Sequence, residues 1–172
     1  MSDHQEKFAG KEKNRSQSQR YLNFGLGPEE YAISLQAVKE VIAVPEITPV
    51  PYTPSHFLGI MNLRGQVISV IDLRLKFAIK ADSTPETAVI IVDLKDHSLG
   101  MIVSSVNSVL ALDEADVSPK PEIHSSKNTD YITGVAKKDK KLVLLLDIAK
   151  ALSAEEHAAI NRATAQPAKK AA

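Results

Sequence analysis

Between residues 20 and 147 the apolar side chains either alternate with polar ones or run in blocks of four to seven closed by turn residues. That is the pattern of a mainly β protein. Strands are predicted over 20–26, 30–35, 38–44, 59–63, 66–71, 87–94, 98–103, 106–112, 131–137 and 141–146. Helical spacing appears only in short stretches. Asp72-Leu-Arg-Leu-Lys-Phe and Asp147-Ile-Ala-Lys-Ala-Leu each leave a strand on an aspartate that can accept from the free N–H groups of a first helical turn. Ser153 and Glu156 stand at capping-box spacing and open a C-terminal helix over 153–164. Its exposed face is rich in alanine, so the helix is expected to dock on the first half of the chain rather than stand alone.

The strand pattern repeats. Tyr31-Ala-Ile-Ser-Leu-Gln-Ala-Val lies over Leu99-Gly-Met-Ile-Val-Ser-Ser-Val at an offset of 68 residues, which pairs Val38 with Val106 and Val41 with Val109. A second block, starting at Gly59-Ile60 and at Gly134-Val135, repeats at an offset of 75 and sets Val67–Asp72 over Leu142–Asp147. The difference of seven is a loop insertion in the second half. Two similar five-stranded units follow, about 20–78 and 87–147, each small enough to curl into a barrel that hides its edges. A groove between them would be a natural binding site.

The 172 residues are 44% hydrophobic, enough for a real core. Twenty-one basic and 21 acidic groups cancel, so no global field draws the protein to nucleic acid, anionic lipid or an acidic substrate, and recognition must be local. Cysteine is absent, which excludes disulfides, thiolate nucleophiles and cysteine-based metal sites. No stretch approaches the roughly 20 apolar residues of a membrane span, and none serves as a signal peptide, so a soluble cytoplasmic protein is expected. Residues 1–19 are rich in Ser, Gln, Lys and Glu and read as a disordered arm, and 165–172 as a flexible tail.

The residues needed for catalysis are not found together. His4, His56, His97, His124 and His157 are scattered without metal-binding spacing and are expected at the surface, with no metal and no cofactor. Gly25 and Gly27 precede Pro28 in a hairpin turn rather than opening a helix. Lys137, Lys138, Lys140 and Lys141 surround Asp139 at a hairpin tip; with few aromatics nearby, a solvated turn is favoured over a phosphate contact, and a nucleic-acid-binding double barrel is a distant alternative. Arg64 stands apart. Its repeat counterpart is Asp139, so the scaffold does not demand arginine at this turn. Glu40, the unpaired carboxylate of strand 38–44, is the natural partner for its planar fork, and an Arg64–Glu40 salt bridge is expected.

Residues 59–74 carry Gly59, Asn62, Leu63, Arg64, Gly65, then a β run and Asp72, Leu73, Arg74. This stretch resembles the signature of the CheW family of bacterial chemotaxis coupling proteins, and the resemblance extends over about residues 20–152. One departure is Ser69, where the family usually has proline. The resemblance implies two five-stranded SH3-like β-barrels and a scaffold without catalysis. It implies as partners the regulatory domain of a CheA-type histidine kinase and the cytoplasmic tip of methyl-accepting chemoreceptors, with the membrane reached only through the receptors. A related scaffold in a pilus-motility or second-messenger chemosensory system would have the same fold. Carried over position by position, the implied binding residues are Val38, Glu40, Gly59, Asn62, Arg64 and Gly65, with Val106 and Gly134 as second-half counterparts.

Overall fold

The computed structural model describes residues 18–80, 82–119 and 130–165, with side chains described through Ala163. Most of the expected N-terminal arm, the tail beyond Ala165, His4 and His124 lie outside the described residues. Among the described residues there are eleven strands: β1 (Gln19–Leu26), β2 (Glu29–Ser34), β3 (Val38–Ala43), β4 (Phe57–Leu63), β5 (Gln66–Asp72), β6 (Ala88–Leu94), β7 (His97–Val103), β8 (Ser105–Leu112), β9 (Val117–Ser118), β10 (Ile132–Lys138) and β11 (Lys141–Leu146). Three helices accompany them, α1 (Leu73–Lys76), α2 (Ile148–Ala151) and α3 (Ala154–Ala165). The ten strands read from the hydrophobic pattern are all present, and the two-residue β9 is added to them.

The strands form two sheets, in the orders β8-β1-β2-β11-β10-β9 and β3-β6-β7-β5-β4. Neither sheet is closed by a ladder between its first and last strands. The mainly β, SH3-like double-sheet class holds, but the sheets are not the two contiguous halves. Each sheet takes a hairpin from one half and the remaining strands from the other. The exchange obeys the repeat: β1 pairs with β8 as β6 pairs with β3, both antiparallel, and β2 pairs with β11 as β7 pairs with β5, both parallel. Connection length explains it. Only the single 3₁₀ turn Leu35–Ala37 joins β2 to β3, spanning about 6 Å at about 2 Å per residue. Reaching the far side of β1 would mean crossing two strand spacings, about 9.6 Å, so β3 passes to the other sheet.

Alternation along the strands then builds three cores. Met61, Ile68, Val70, Val89, Ile91 and Ile102 fill the five-stranded sheet. Ala32, Ala136, Val143 and Leu145 fill the six-stranded one. The largest cluster takes the opposite faces of both sheets, with Leu22, Phe24 and Ile33 from one and Ile71, Ile90 and Met101 from the other. The space between the sheets is therefore mostly packed. What stays open there is a recess of about 270 Å³ lined by Tyr21, Ile33, Ala37, Val92, Leu94 and Ile148. Ser69 is fully buried on β5, an interior strand between β7 and β4.

The caps read from the sequence are in place. Asp72 accepts from the Arg74 amide at 2.9 Å and Asp147 from the Lys150 amide at 3.3 Å. Ser153 and Glu156 form the reciprocal box, with the Ser153 amide donating to Glu156 Oε2 at 2.6 Å and the Glu156 amide to Ser153 Oγ at 3.1 Å. Helix α3 lies against β5 and β7, its Ile160 wholly inside the central core.

Candidate functional site

The β4–β5 hairpin turns on two residues, since Leu63 is the register partner of Gln66. Arg64 (φ +50°) and Gly65 (φ +85°) both have positive φ, which is the type I′ turn that matches strand twist. Glycine takes this conformation without strain, whereas arginine there costs energy and is held by what surrounds it. The Asn62 side chain closes the turn by accepting the Gly65 amide at 2.8 Å. Arg64 Nη1 and Nη2 each donate to a Glu40 carboxylate oxygen at 2.9 Å. The fork-on-carboxylate pair expected from the two isolated charges is formed.

Its position gives it a purpose. β3 and β4 are the two end strands of the five-stranded sheet, so the pair spans the seam where that sheet fails to close. A β-bulge between Val38 and Glu40, where the register against β6 shifts, re-aims the carboxylate toward the turn. The hydrogen bonds from Arg64, helped by the Arg64 and Lys39 charges, hold the Glu40 carboxyl below its usual range against the opposing effect of desolvation, and the same bonds raise the Arg64 guanidinium. The arginine is 73% exposed in its side chain, so the pair is a geometric brace at the surface rather than a buried anchor. The second sheet is bridged at the corresponding place by a weaker contact: Lys138 Nζ donates to Ser108 Oγ at 2.9 Å, and Ser108 is the counterpart of Glu40. The β10–β11 turn again has positive φ at both central residues, Asp139 and Lys140.

Glu40, Asn62, Arg64 and Gly65 thus come together on one exposed tip. The other four residues carried over from the resemblance lie elsewhere. Val38 and Val106 are half-buried on β3 and β8, both packed against the central core. Gly59 and Gly134 are buried, each at a register shift in its hairpin. A Cβ on Gly59 would sit 1.9 Å from the Thr48 carbonyl oxygen, and one on Gly134 would sit 2.6 Å from Val117 Cγ1. Their immediate role is to let another chain segment approach.

Two features escaped the sequence reading. Val41 (42% exposed) and Val44 (43%) follow Glu40 along the same end strand and its extension, and Val109 (51%) is the counterpart of Val41 on β8. Alternation alone cannot say which face of an end strand meets solvent. The second is His56, expected at the surface but only 17% exposed in its side chain, with Nε2 2.5 Å from Glu156 Oε1. Lys76 Nζ reaches both oxygens of the same carboxylate at 2.7 and 2.9 Å. His97 is likewise half-buried. Residues 100 positions apart carry no local signal of such a contact. Among the described residues no group of three or more His, Asp or Glu is placed to hold a metal ion, and no helix is long and apolar enough to cross a membrane.

Two strand-exchanged sheets around a shared core, with a braced hairpin and exposed valines on a sheet edge, define a scaffolding module built to present surfaces. The profile of the CheW-like domain matches residues 20–156. The chain is 37% identical over 144 residues to the chemotaxis protein CheW of Klebsiella aerogenes, covering 83% of this chain and 87% of that protein. It is 26% identical over 148 residues to protein FrzA of Myxococcus xanthus, covering 84% and 91%. The crystal structure of the scaffolding protein TtCheW from Thermoanaerobacter tengcongensis superimposes with a TM-score of 0.70 at 34% identity, over 76% of this chain and 89% of that one. The chain belongs to the CheW family of chemotaxis scaffold proteins.

Proposed function

We propose that this protein is a non-catalytic cytoplasmic adaptor that couples the tips of methyl-accepting chemoreceptors to the regulatory domain of a CheA-type histidine kinase. The observation that carries the reading is the Arg64–Glu40 clasp. It fixes an exposed turn across an open sheet seam, with the exposed Val41 and Val44 following Glu40 along the same strand and its extension. Glu40, Asn62, Arg64 and Gly65 form the braced tip. Val38 and Val106 border the core beneath the two equivalent end strands, and Gly59 and Gly134 shape the segments that support them. Signal passes by changing how receptor and kinase domains are placed, with no chemistry at the scaffold.

Calorimetry of the full chain against an isolated CheA regulatory domain, at two salt concentrations, tests this. Saturable one-to-one binding with little salt dependence is expected, because the neutral chain recognises through local apolar and paired contacts. Arg64→Ala should keep the wild-type melting temperature within a degree or two and weaken binding about tenfold. An equal fall in both would make Arg64 a stability residue only. Steep weakening with salt would point instead to the lysine turn and a polyanionic partner.

The pH dependence of the same complex follows from Glu40. A carboxyl held below its ordinary value when folded braces the turn fully above the value of a free glutamate, about 4.3, and loses that contribution as pH falls through the lowered one. Affinity should be flat from pH 8 to 5.5 and fail only below the ordinary carboxylate range. A midpoint near pH 6.5 would assign the dependence to a histidine instead.

The similarity to FrzA favours one second reading, a scaffold in a different chemosensory system with the same fold. Absence of binding to a CheA regulatory domain by a well-folded sample would select it.

A further inference from the structure

Helix α3 packs against β5 and β7. Ile160 is its wholly buried residue among those described, with Ala163 at the edge of the same core. A pocket of about 680 Å³ remains between the helix and the segment joining β3 to β4, floored by Phe57, Ile71 and Ile160. The interface is thus packed along one line and open beside it.

Its first turn is fixed on two sides. On one side Glu156 receives Lys76 and the Ser153 amide and lies against His56. Burial pushes the Glu156 carboxyl up, but the hydrogen bonds from Lys76 and Ser153, the Lys76 charge and the His56 contact outweigh this and hold it below the ordinary range. This contact therefore stays ionised throughout the range in which histidines titrate. On the other side His157 meets His97, at the start of β7, edge to face, with ring centroids 6.4 Å apart. Both ring nitrogens of His97 are shut off from solvent and have no hydrogen-bond partner among the described residues. His157 Nε2 donates to the Ala149 carbonyl at 2.9 Å, which leaves Nδ1 as its basic nitrogen. The contact tolerates two neutral rings. Among the described residues it has no acceptor for the one N–H that protonation would add to His97, and two imidazolium ions would repel across it.

We propose that the His97–His157 contact makes docking of α3 sensitive to pH, with the helix released on mild acidification and the apolar face of Phe57 and Ile71 uncovered. The direction follows from every charge around the contact. Burial lowers the His97 pKa, and His157 on α3 lowers it further, whereas Asp96 and Asp93 on the β6–β7 hairpin favour the cation without offsetting the first two. On the far side of the helix turn, Lys76 and His56 are taken up by Glu156. Lys39, reaching β7 from β3, donates to Ser98 Oγ. A histidine whose docked value lies below its free value of 6.5 favours docking above that value. Its undocked form takes up protons more readily below it, so the docked fraction falls as pH drops from 7.5 to 5.5.

The test uses the full chain carrying ¹³C-methyl isoleucine. The Ile160 δ1 methyl should hold a docked position at pH 7.5 and move toward the free-isoleucine position by pH 5.5, while Ile90 and Ile102 in the sheets stay fixed. The His97→Gln/His157→Gln variant should keep the docked signal at both pH values. His56→Gln, which leaves the His97–His157 contact intact, should retain the wild-type response. An Ile160 methyl unmoved in the wild type, or moving equally in the double variant, overturns the proposal. Titration of the His97 imidazole, followed directly in the wild type, gives a check that needs no variant: a midpoint at or above 6.5 also overturns it.

Discussion

Gly59→Ala is expected to destabilise the fold by about 3–5 kcal/mol, enough to unfold most of a marginally stable domain at 37 °C. The added Cβ would stand 1.9 Å from the Thr48 carbonyl oxygen, 2.7 Å from the Thr48 carbonyl carbon and 2.9 Å from Pro49 Cα, all of them backbone atoms with no rotamer to yield. The segment carrying Thr48 would have to lift away, breaking both hydrogen bonds of the Thr48–Ile60 bridge, at 2.8 and 2.9 Å. A φ of +143° at residue 59 adds strain for any side chain. Gly65→Ala is the matched comparison. Its Cβ meets nothing within 4 Å and only the positive φ opposes it, so it should cost about 1 kcal/mol. Urea titrations followed by circular dichroism compare the two. A Gly59→Ala protein as stable as Gly65→Ala would overturn the account, and would restore Gly59 as a candidate for direct partner contact.

That distinction shows what the sequence can carry. Alternation and short apolar blocks located ten strands, because some bury one face, as β3 does, and others both, as β7 does, whereas β9 has two residues and no period to detect. The repeat at offsets of 68 and 75 implied two contiguous five-stranded units, whereas the strands are exchanged between a six-stranded and a five-stranded sheet. It could not say which copy of each strand pairs with which, because an offset is indifferent to exchange; the three-residue β2–β3 connection decided that. Glu40 and Arg64 were legible as a pair because Glu40 is the one carboxylate of its strand and the repeat does not demand an arginine at position 64. His56, Lys76 and Glu156 were not, because each looks like an ordinary surface residue until the C-terminal helix brings them together. Gly59 was legible as a bulge or tight turn where a side chain would clash, but the sequence could not name Thr48 as the segment that approaches it.

Symmetry of scaffold and asymmetry of chemistry together mark the first tip. Both β-hairpins end in two-residue turns with positive φ, and both seams are bridged, one by an arginine–carboxylate fork and the other by a lysine on a hydroxyl. The ammonium is a point donor that rotates freely, whereas the fork sets distance and plane at once. The Arg64 turn is therefore the more fully constrained of the two equivalent turns.

The second large effect belongs to Arg74, the buried arginine of the motif, in contrast to the exposed Arg64. Arg74 and Asp72 have side chains 7% and 8% exposed, and Arg74 Nε and Nη2 each donate to a carboxylate oxygen at 3.0 Å. Nη1 reaches the Asp82 carbonyl at 3.3 Å and so ties down the segment after α1. The counterpart of Arg74 in the second half is Ala149, and Asp147 there caps α2 without such a partner, so the scaffold can be built without this pair. Removing one member is a different matter, because it strands a carboxylate where water cannot reach it. Arg74→Ala should cost about 3–5 kcal/mol, whereas Asp72→Asn/Arg74→Leu, which removes both charges and keeps the volume, should recover most of the loss. Asp147→Ala, which deletes a cap and nothing else, should cost about 1 kcal/mol. Denaturant midpoints of the three variants decide it. A double variant as unstable as Arg74→Ala would mean that the tie to Asp82, and not the stranded charge, carries the energy.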